Sequence, residues 1–378
     1  MSVKILAENL IDPEILVQGI PSSENPSFPA VNVYNKKRRS KVWRTQGFWE
    51  ITSLNNKLIF RETTTVDLTA TIAVSNYAST VLLMAAIKAA LEVAGASVYT
   101  ITQDLISKKI KVTSDGLGGG GIFELINTDV LSTLASVIGF DISTDKTGAL
   151  TYTADFLKIH TKEFLTLDLG ISTNPQCFLL IGKRNAPIQF SSSATLKLQA
   201  NATDAWTSPT FETTLTYNEK TILLINPTGL SPTPLRYWRL LIQDSANPNG
   251  FIEIGSLYLG NFYSTQRGAA QFPLKSSFVD RSTSVISEGG QIFSGVREKT
   301  QEFSLDWNGL TYSELEVFND IFQKMGTSVP FFVILDPDGA FSSSQNFYSR
   351  YVKFSSDPNF LLESPNNFSF SMQLREEL

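Results

Sequence analysis

The stretch Leu235-Arg-Tyr-Trp-Arg-Leu-Leu-Ile-Gln-Asp-Ser-Ala-Asn-Pro-Asn-Gly-Phe-Ile-Glu-Ile-Gly-Ser-Leu-Tyr-Leu-Gly260 decides the fold class. Two runs of aromatic and branched residues, Tyr237 to Gln243 and Phe251 to Leu259, flank the turn-forming residues Asp244 to Gly250. That order is the pattern of a paired antiparallel ribbon. Trp238 lies in mid-strand and is expected in the core.

The β pattern extends upstream. In Phe164-Leu-Thr-Leu-Asp-Leu-Gly170, Leu165, Leu167 and Leu169 face one way and Thr166 and Asp168 the other, as in a half-buried strand. Phe178 to Ile181, Thr195 to Gln199 and Ile222 to Ile225 read as further strands, and Val42 to Thr45 and Phe48 to Ile51 as aromatic strand pieces. Pro21, Pro26 and Pro29 make Ile20 to Val31 a surface connection, because proline cannot donate to a ladder.

Residues 63–157 read differently, as a small α/β module inserted into the β domain. Ser79 and Gly95 bracket an Ala-rich helix as N-cap and stop. Leu83, Ile87, Ala90, Leu91 and Ala94 share one face, and Lys88 and Glu92 are spaced i, i+4 on another. Strands are expected at Val98 to Gln103, Lys109 to Thr113 and Ile122 to Ile126. A second helix is expected from Thr128 to Ile138, with Leu131, Leu134, Ala135 and Ile138 on its apolar face and Gly139 ending it.

A third segment follows Tyr263. Thr311-Tyr-Ser-Glu314 is a capping box, so a helix is expected over 311–325, with Leu315, Phe318, Phe322 and Met325 at helical spacing and Gly326 as its stop. Pro330 to Leu335 is an apolar strand, Asp336-Pro-Asp-Gly339 a turn, and Asn366 to Leu374 an alternating strand. The resulting expectation is a mainly β chain with α+β parts. A β-sandwich occupies 1–62 and 158–262, the α/β module occupies 63–157, and a C-terminal β-rich assembly domain occupies 263–378.

Composition bounds the function. With 378 residues, two or three domains are expected at roughly 100–200 residues each. Hydrophobic residues make up 42% and charged residues 18%, enough apolar matter for buried cores. A net charge of −5 argues against nucleic-acid binding. The basic run Lys36 to Lys41 reads as a solvated loop. No apolar run reaches membrane-spanning length, and the first ten residues lack a secretory apolar core, so assembly in a reducing cytoplasm is expected.

The chain has one histidine, His160, between Lys158 and Lys162, and one cysteine, Cys177, in an apolar strand. His160 is expected at an exposed site and Cys177 as a buried, inert thiol. One of each cannot build a zinc site. Gly118 to Gly121 lacks the Lys-Ser/Thr of a phosphate loop and reads as a hairpin tip. No catalytic constellation, cofactor or metal is expected.

Several pieces together carry a resemblance. Phe164 to Gly170, Arg236-Tyr-Trp-Arg-Leu-Leu-Ile242 and Ile252-Glu-Ile-Gly-Ser-Leu-Tyr-Leu-Gly260 resemble successive strands of discoidin-like (galactose-binding-like) jelly rolls. Asn25 to Tyr34 and Val42 to Thr45 are similar to the loop and tryptophan that precede them. The version resembled is that of bacteriophage tail and baseplate proteins. The insert looks like a module of such proteins through Leu68 to Ile72, Asn76-Tyr77 and Leu134 to Phe140. The C-terminal segment is similar through Gly289-Gly290, Leu305-Asp-Trp307, Leu310 to Glu314 and Pro330 to Pro337.

The resemblance implies a structural virion protein, nearest to the distal tail proteins of long-tailed phages. It would form a three- or six-fold ring around the tail axis and connect the tail tube to baseplate or fibre proteins, without membrane insertion. Distal tail proteins place the ring-forming domain first and the sandwich second; here that order is reversed. The alternative is a receptor-binding tail module that grips host-surface glycan, with Trp43, Trp49, Trp206 and Tyr237 as candidate contacts.

Overall fold

The computed structural model describes residues 3–12, 16–34, 41–118, 120–183, 188–217, 221–265, 275–297, 299–335 and 349–377. Residues 36–40 of the basic run and the expected turn at 336–339 lie outside them. The described residues are mainly β, with two α-helices, α1 (Thr80–Ala94) and α2 (Tyr312–Met325).

The central element is a ten-stranded sheet. Its path runs Thr221–Ile225, Cys177–Ile181, Ser256–Tyr263, Lys4–Asn9, Phe331–Ile334, Ser349–Phe354, Asn367–Glu376, Thr300–Leu310, Lys275–Val279, with Asn359–Ser364 also paired to Asn367–Glu376. A second sheet runs Phe211–Thr214, Thr195–Asn201, Leu235–Gln243, Glu163–Thr173, Gln18–Pro21. It faces the first part of the long sheet across a core containing Trp43, Leu167, Phe178, Leu198, Trp238 and Leu257.

The ribbon expected from the opening stretch does not form. Leu235–Gln243 pairs with Glu163–Thr173 and Thr195–Asn201, whereas Ser256–Tyr263 pairs with Cys177–Ile181 and Lys4–Asn9. The two runs therefore stand in opposite sheets, and Asp244 to Gly250 carries the chain across the sandwich end. Both runs are nearly continuously buried, so each needs two strand neighbours, which a simple hairpin would not supply.

The N-terminal strand Lys4–Asn9 bonds on both edges. Ile5 lies opposite Tyr263 on one side and Val333 on the other. It thereby joins the sandwich to the C-terminal segment, and Val3 and Ile5 pack in the C-terminal core. That core also holds Trp307, Phe318, Val333, Phe354 and Phe370, with Phe318 stacked on Phe370 at 4.3 Å. The helix α2 lies over it, begun by the expected capping box: Glu314 N donates to Thr311 Oγ1 and Thr311 N to Glu314 Oε2. Alternation along Ser256–Tyr263 puts Leu257 and Leu259 on the sandwich side and Tyr263, which reaches Phe318, on the same side. The sandwich's second sheet and α2 therefore share one face of the long sheet. Leu6, Cys177, Tyr258 and Phe332 form an apolar cluster on the other. Cys177 is buried as expected, and burial pushes its thiol well above the ordinary range.

The inserted module has its own core, from Trp49 to Ala154, under α1 and two small three-stranded sheets. Ser79 Oγ caps α1 by accepting from Leu82 N, and Lys88 pairs with Glu92. Trp49, Ile51, Leu58 and Phe60 pack in this core, so the module's packing begins well before the expected boundary at 63. The expected helix at 128–138 is a series of turns instead. Leu134 N donates to Lys57 O, and Lys57 N to Thr133 Oγ1, so the neighbouring strand takes bonds a helix would keep. Leu134, Ala135 and Ile138 are buried as expected, whereas Leu131 is exposed.

Gly260 sits where the N-terminal strand meets the sandwich. A Cβ there would lie 2.0 Å from the Glu8 carbonyl oxygen, in backbone that cannot move without opening the seam. Gly260→Ala is expected to cost ~1–3 kcal/mol by overpacking, and Trp238→Ala ~3–5 kcal/mol by core truncation. Urea unfolding of both variants checks this. A loss below ~0.5 kcal/mol for Gly260→Ala would mean that the N-terminal strand can shift freely.

Candidate functional site

The outer face of the five-stranded sheet concentrates polar and aromatic chemistry. Alternation turns Leu165, Leu167, Leu198, Trp238 and Leu240 inward and leaves Thr166, Gln199 and Arg239 in one outward row. A second outward row is Asp168, Tyr237 and Asn201. Arg239 Nε donates to Gln199 Oε1 at 2.8 Å, and the guanidinium lies 4.3 Å over the Trp206 ring and 5.4 Å from that of Phe164. Burial pulls its pKa down to about 10, partly offset by Asp204, Glu50 and Glu212. Arg236 grips Asp168 bidentately at 2.7 and 2.8 Å, which holds that carboxyl below its usual range. Glu212 bonds Lys197 and Gln199.

Of the four candidate glycan contacts, this face brings together Trp206 and Tyr237, both partly exposed. Trp43 and Trp49 are corrected: both are fully buried, with Nε1 donating to Ser23 O and to Thr80 Oγ1. Strand pattern alone could not separate them from Trp206, because a tryptophan's exposure depends on which sheet covers it. Arg239 was not singled out from sequence. Its signal was a second arginine, three residues after Arg236, in an otherwise apolar strand.

A buried polar seam links the sandwich to the inserted module. The chain enters at 45–50 and leaves at 155–163, and Thr161 N donates to Phe48 O at 2.9 Å. Glu163 is fully buried and accepts from Ser22 Oγ, from Ser23 Oγ at 2.9 Å and from Phe48 N at 2.9 Å. Gly47, at φ +91°, lets the backbone pass Ile159 O, which a Cβ would meet at 2.5 Å. The expectation of an exposed His160 is corrected too. The ring lies in this seam, 1% exposed, beside the Asp244 backbone. Burial holds it down to about 4, so it is neutral. No group of three or more His, Cys, Asp or Glu among the described residues could hold a metal.

The C-terminal segment presents a contrasting surface. Thr283–Ile286 and Ile292–Gly295 form a two-stranded ribbon with Val285 opposite Phe293 and Ile286 opposite Ile292. Successive side chains alternate faces, so both faces of the ribbon are apolar, and all four side chains are more than 60% exposed. Phe278 and Val296 flank it, and Phe360, Leu361 and Leu362 are equally exposed on Asn359–Ser364.

The seam yields a pH test. Burial raises Glu163 from 4.5 to about 7, so the folded carboxyl holds its proton more tightly than the unfolded one. Its contribution is fully present below the unfolded pKa and is lost as pH rises through the folded one. His160 runs oppositely, being depressed from 6.5 to about 4, and its contribution is lost as pH falls through that range. Comparison with Glu163→Gln cancels His160. Relative to the variant, the parent chain should lose up to about 3 kcal/mol between pH 5 and 8, read as the unfolding midpoint. Parallel profiles would contradict a protonated buried carboxyl.

No protein-family model matches the sequence, and no curated protein is significantly similar to it.

Proposed function

We propose that this chain is a structural subunit that assembles with copies of itself, as a distal-tail-like component of a bacteriophage tail tip or baseplate. The observation that carries self-assembly is the ribbon 283–295. An isolated two-stranded ribbon is marginal in water, and contiguous exposed apolar patches mark interaction sites. Apolar side chains on both of its faces call for cover on both. Such an arm, reaching from one copy to a different surface of the next, makes a heterologous contact, which closes into a ring when the rotation permits.

The phage assignment rests on the sequence resemblance of the three segments. One structural finding is compatible with it: the C-terminal core takes in Val3 and Ile5, so the segment proposed for assembly also draws on residues ahead of the sandwich. This softens the apparent reversal of domain order. In this reading the sandwich and the inserted module face outward, toward baseplate or fibre proteins, in the virion.

Light scattering and electron-microscope class averages of the full chain test the proposal. A ring with a central hole is expected, three- or six-fold, and the double variant Val285→Asp/Phe293→Asp should shift it to the 41.8 kDa monomer while keeping the parent's β-rich circular dichroism and a cooperative unfolding transition. Parent chain that remains monomeric at every concentration, or a variant that assembles as well as the parent, would overturn it.

A further inference from the structure

The chain carries one other surface of the same character as the ribbon 283–295. On Asn359–Ser364, Phe360 lies opposite Phe370 and Leu362 opposite Phe368. Directly opposed residues share a sheet face, and Phe370 and Phe368 belong to the C-terminal core. Phe360 and Leu362 therefore extend that apolar face past the point where α2 begins. The first residue of α2, Tyr312, stands there 6.2 Å from the Phe368 ring. Phe360, Leu362 and Tyr312 are 62–63% exposed.

The two surfaces lie at opposite ends of one sheet. The ribbon leaves it beyond the pair Val279 and Thr300. Phe370 pairs with Trp307 and Phe368 with Leu310, so Phe360 and Leu362 sit at the far end of Thr300–Leu310. At the usual rise that strand spans about 33 Å, and both surfaces stay exposed within the chain. Charge and area favour a contact between them in different copies. At the ribbon's base Asp280 pairs with Lys299, and exposed Arg281 and Arg297 have no side-chain partner among the described residues. Exposed Asp357 and Glu363 flank the Phe360 strand, and Glu316 lies one helical turn after Tyr312. Phe278, Phe293, Phe360 and Tyr312 are 61–70% exposed, and at roughly 150–250 Å² per ring they supply about half of the ~1,000 Å² expected of a specific interface.

We infer that the ribbon of one copy docks head-to-tail on the Phe360, Leu362 and Tyr312 surface of the next. Arg281 and Arg297 then meet the carboxylates around that surface. The inference rests on the self-assembly reading and names the partner surface that the ribbon takes. Because unlike ends meet, an open row of copies always keeps one free ribbon and one free docking surface. Growth ends only where the rotation closes the row into a ring.

Complementation between two defective full-length chains tests this. Phe360→Asp/Leu362→Asp keeps the ribbon and loses the docking surface; Val285→Asp/Phe293→Asp does the reverse. Each alone should be monomeric with the parent's circular dichroism. Mixed in equal amounts they can make one contact and no second, so sedimentation velocity should show a species of twice 41.8 kDa and nothing larger. The mixture is run at about 100 μM, where one contact of micromolar strength is saturated. If the aspartates at 360 and 362 disturb folding, Phe360→Ser/Leu362→Ser takes their place with the same expected result. A folded docking-surface variant that assembles as the parent does, or a mixture that stays monomeric, would overturn the inference. With the parent assembled and the ribbon variant monomeric, either result leaves the self-assembly reading standing; a parent that never assembles removes both.

Discussion

The architecture depends on one strand being hydrogen-bonded on both edges. Lys4–Asn9 fills the gap between Ser256–Tyr263 and Phe331–Ile334, and without it the long sheet would be two sheets with two more free edges. Free edges invite unwanted pairing, so closing this pair is as much a solubility device as a source of stability. The join is also reinforced by side chains. Asn9 Oδ1 accepts from Leu259 N at 3.1 Å, and Tyr258 Oη donates to Glu8 O at 2.9 Å. A register irregularity between Ile5 and Glu8 lets the strand serve two cores. Ile5 packs toward α2, while Ile11, just beyond the strand, belongs to the sandwich.

The inserted module is attached by a different kind of contact. Its own core is apolar and separate, so it does not lean on the sandwich for burial. What joins them is a narrow polar neck in which Glu163, Ser22, Ser23 and Phe48 satisfy one another. Thr80 adds to it by donating to Ile159 O and accepting from Trp49 Nε1. Buried polar groups of this kind specify an orientation more than they add stability, because each bond formed replaces one to water. A module that keeps its own core and a specified seat can present its far end to a partner.

The two surfaces read as functional have opposite character, and each follows from how a sheet ends. The sandwich's outer sheet is covered in part by the 202–210 loop and the neck, so its polar residues are half-sheltered and mutually bonded. The C-terminal ribbon extends past the strand it continues from, and among the described residues nothing covers either face.

Local pattern was enough to read what depends on near neighbours in the chain. The caps of α1 and α2, the alternation of Phe164 to Gly170, the burial of Trp238 and Cys177 and the mainly β class were all legible, because each follows from side chains a few residues apart. Residues 128–138 were not, because helical spacing there competes with bonds to Lys57, far away in sequence. The pairing of Leu235–Gln243 with Glu163–Thr173, the burial of Trp43, Trp49 and His160, and the stacking of Arg239 on Trp206 likewise depend on which segments meet. Periodicity states that a strand has an apolar face; only the tertiary structure decides which sheet that face meets and what lies above the other side.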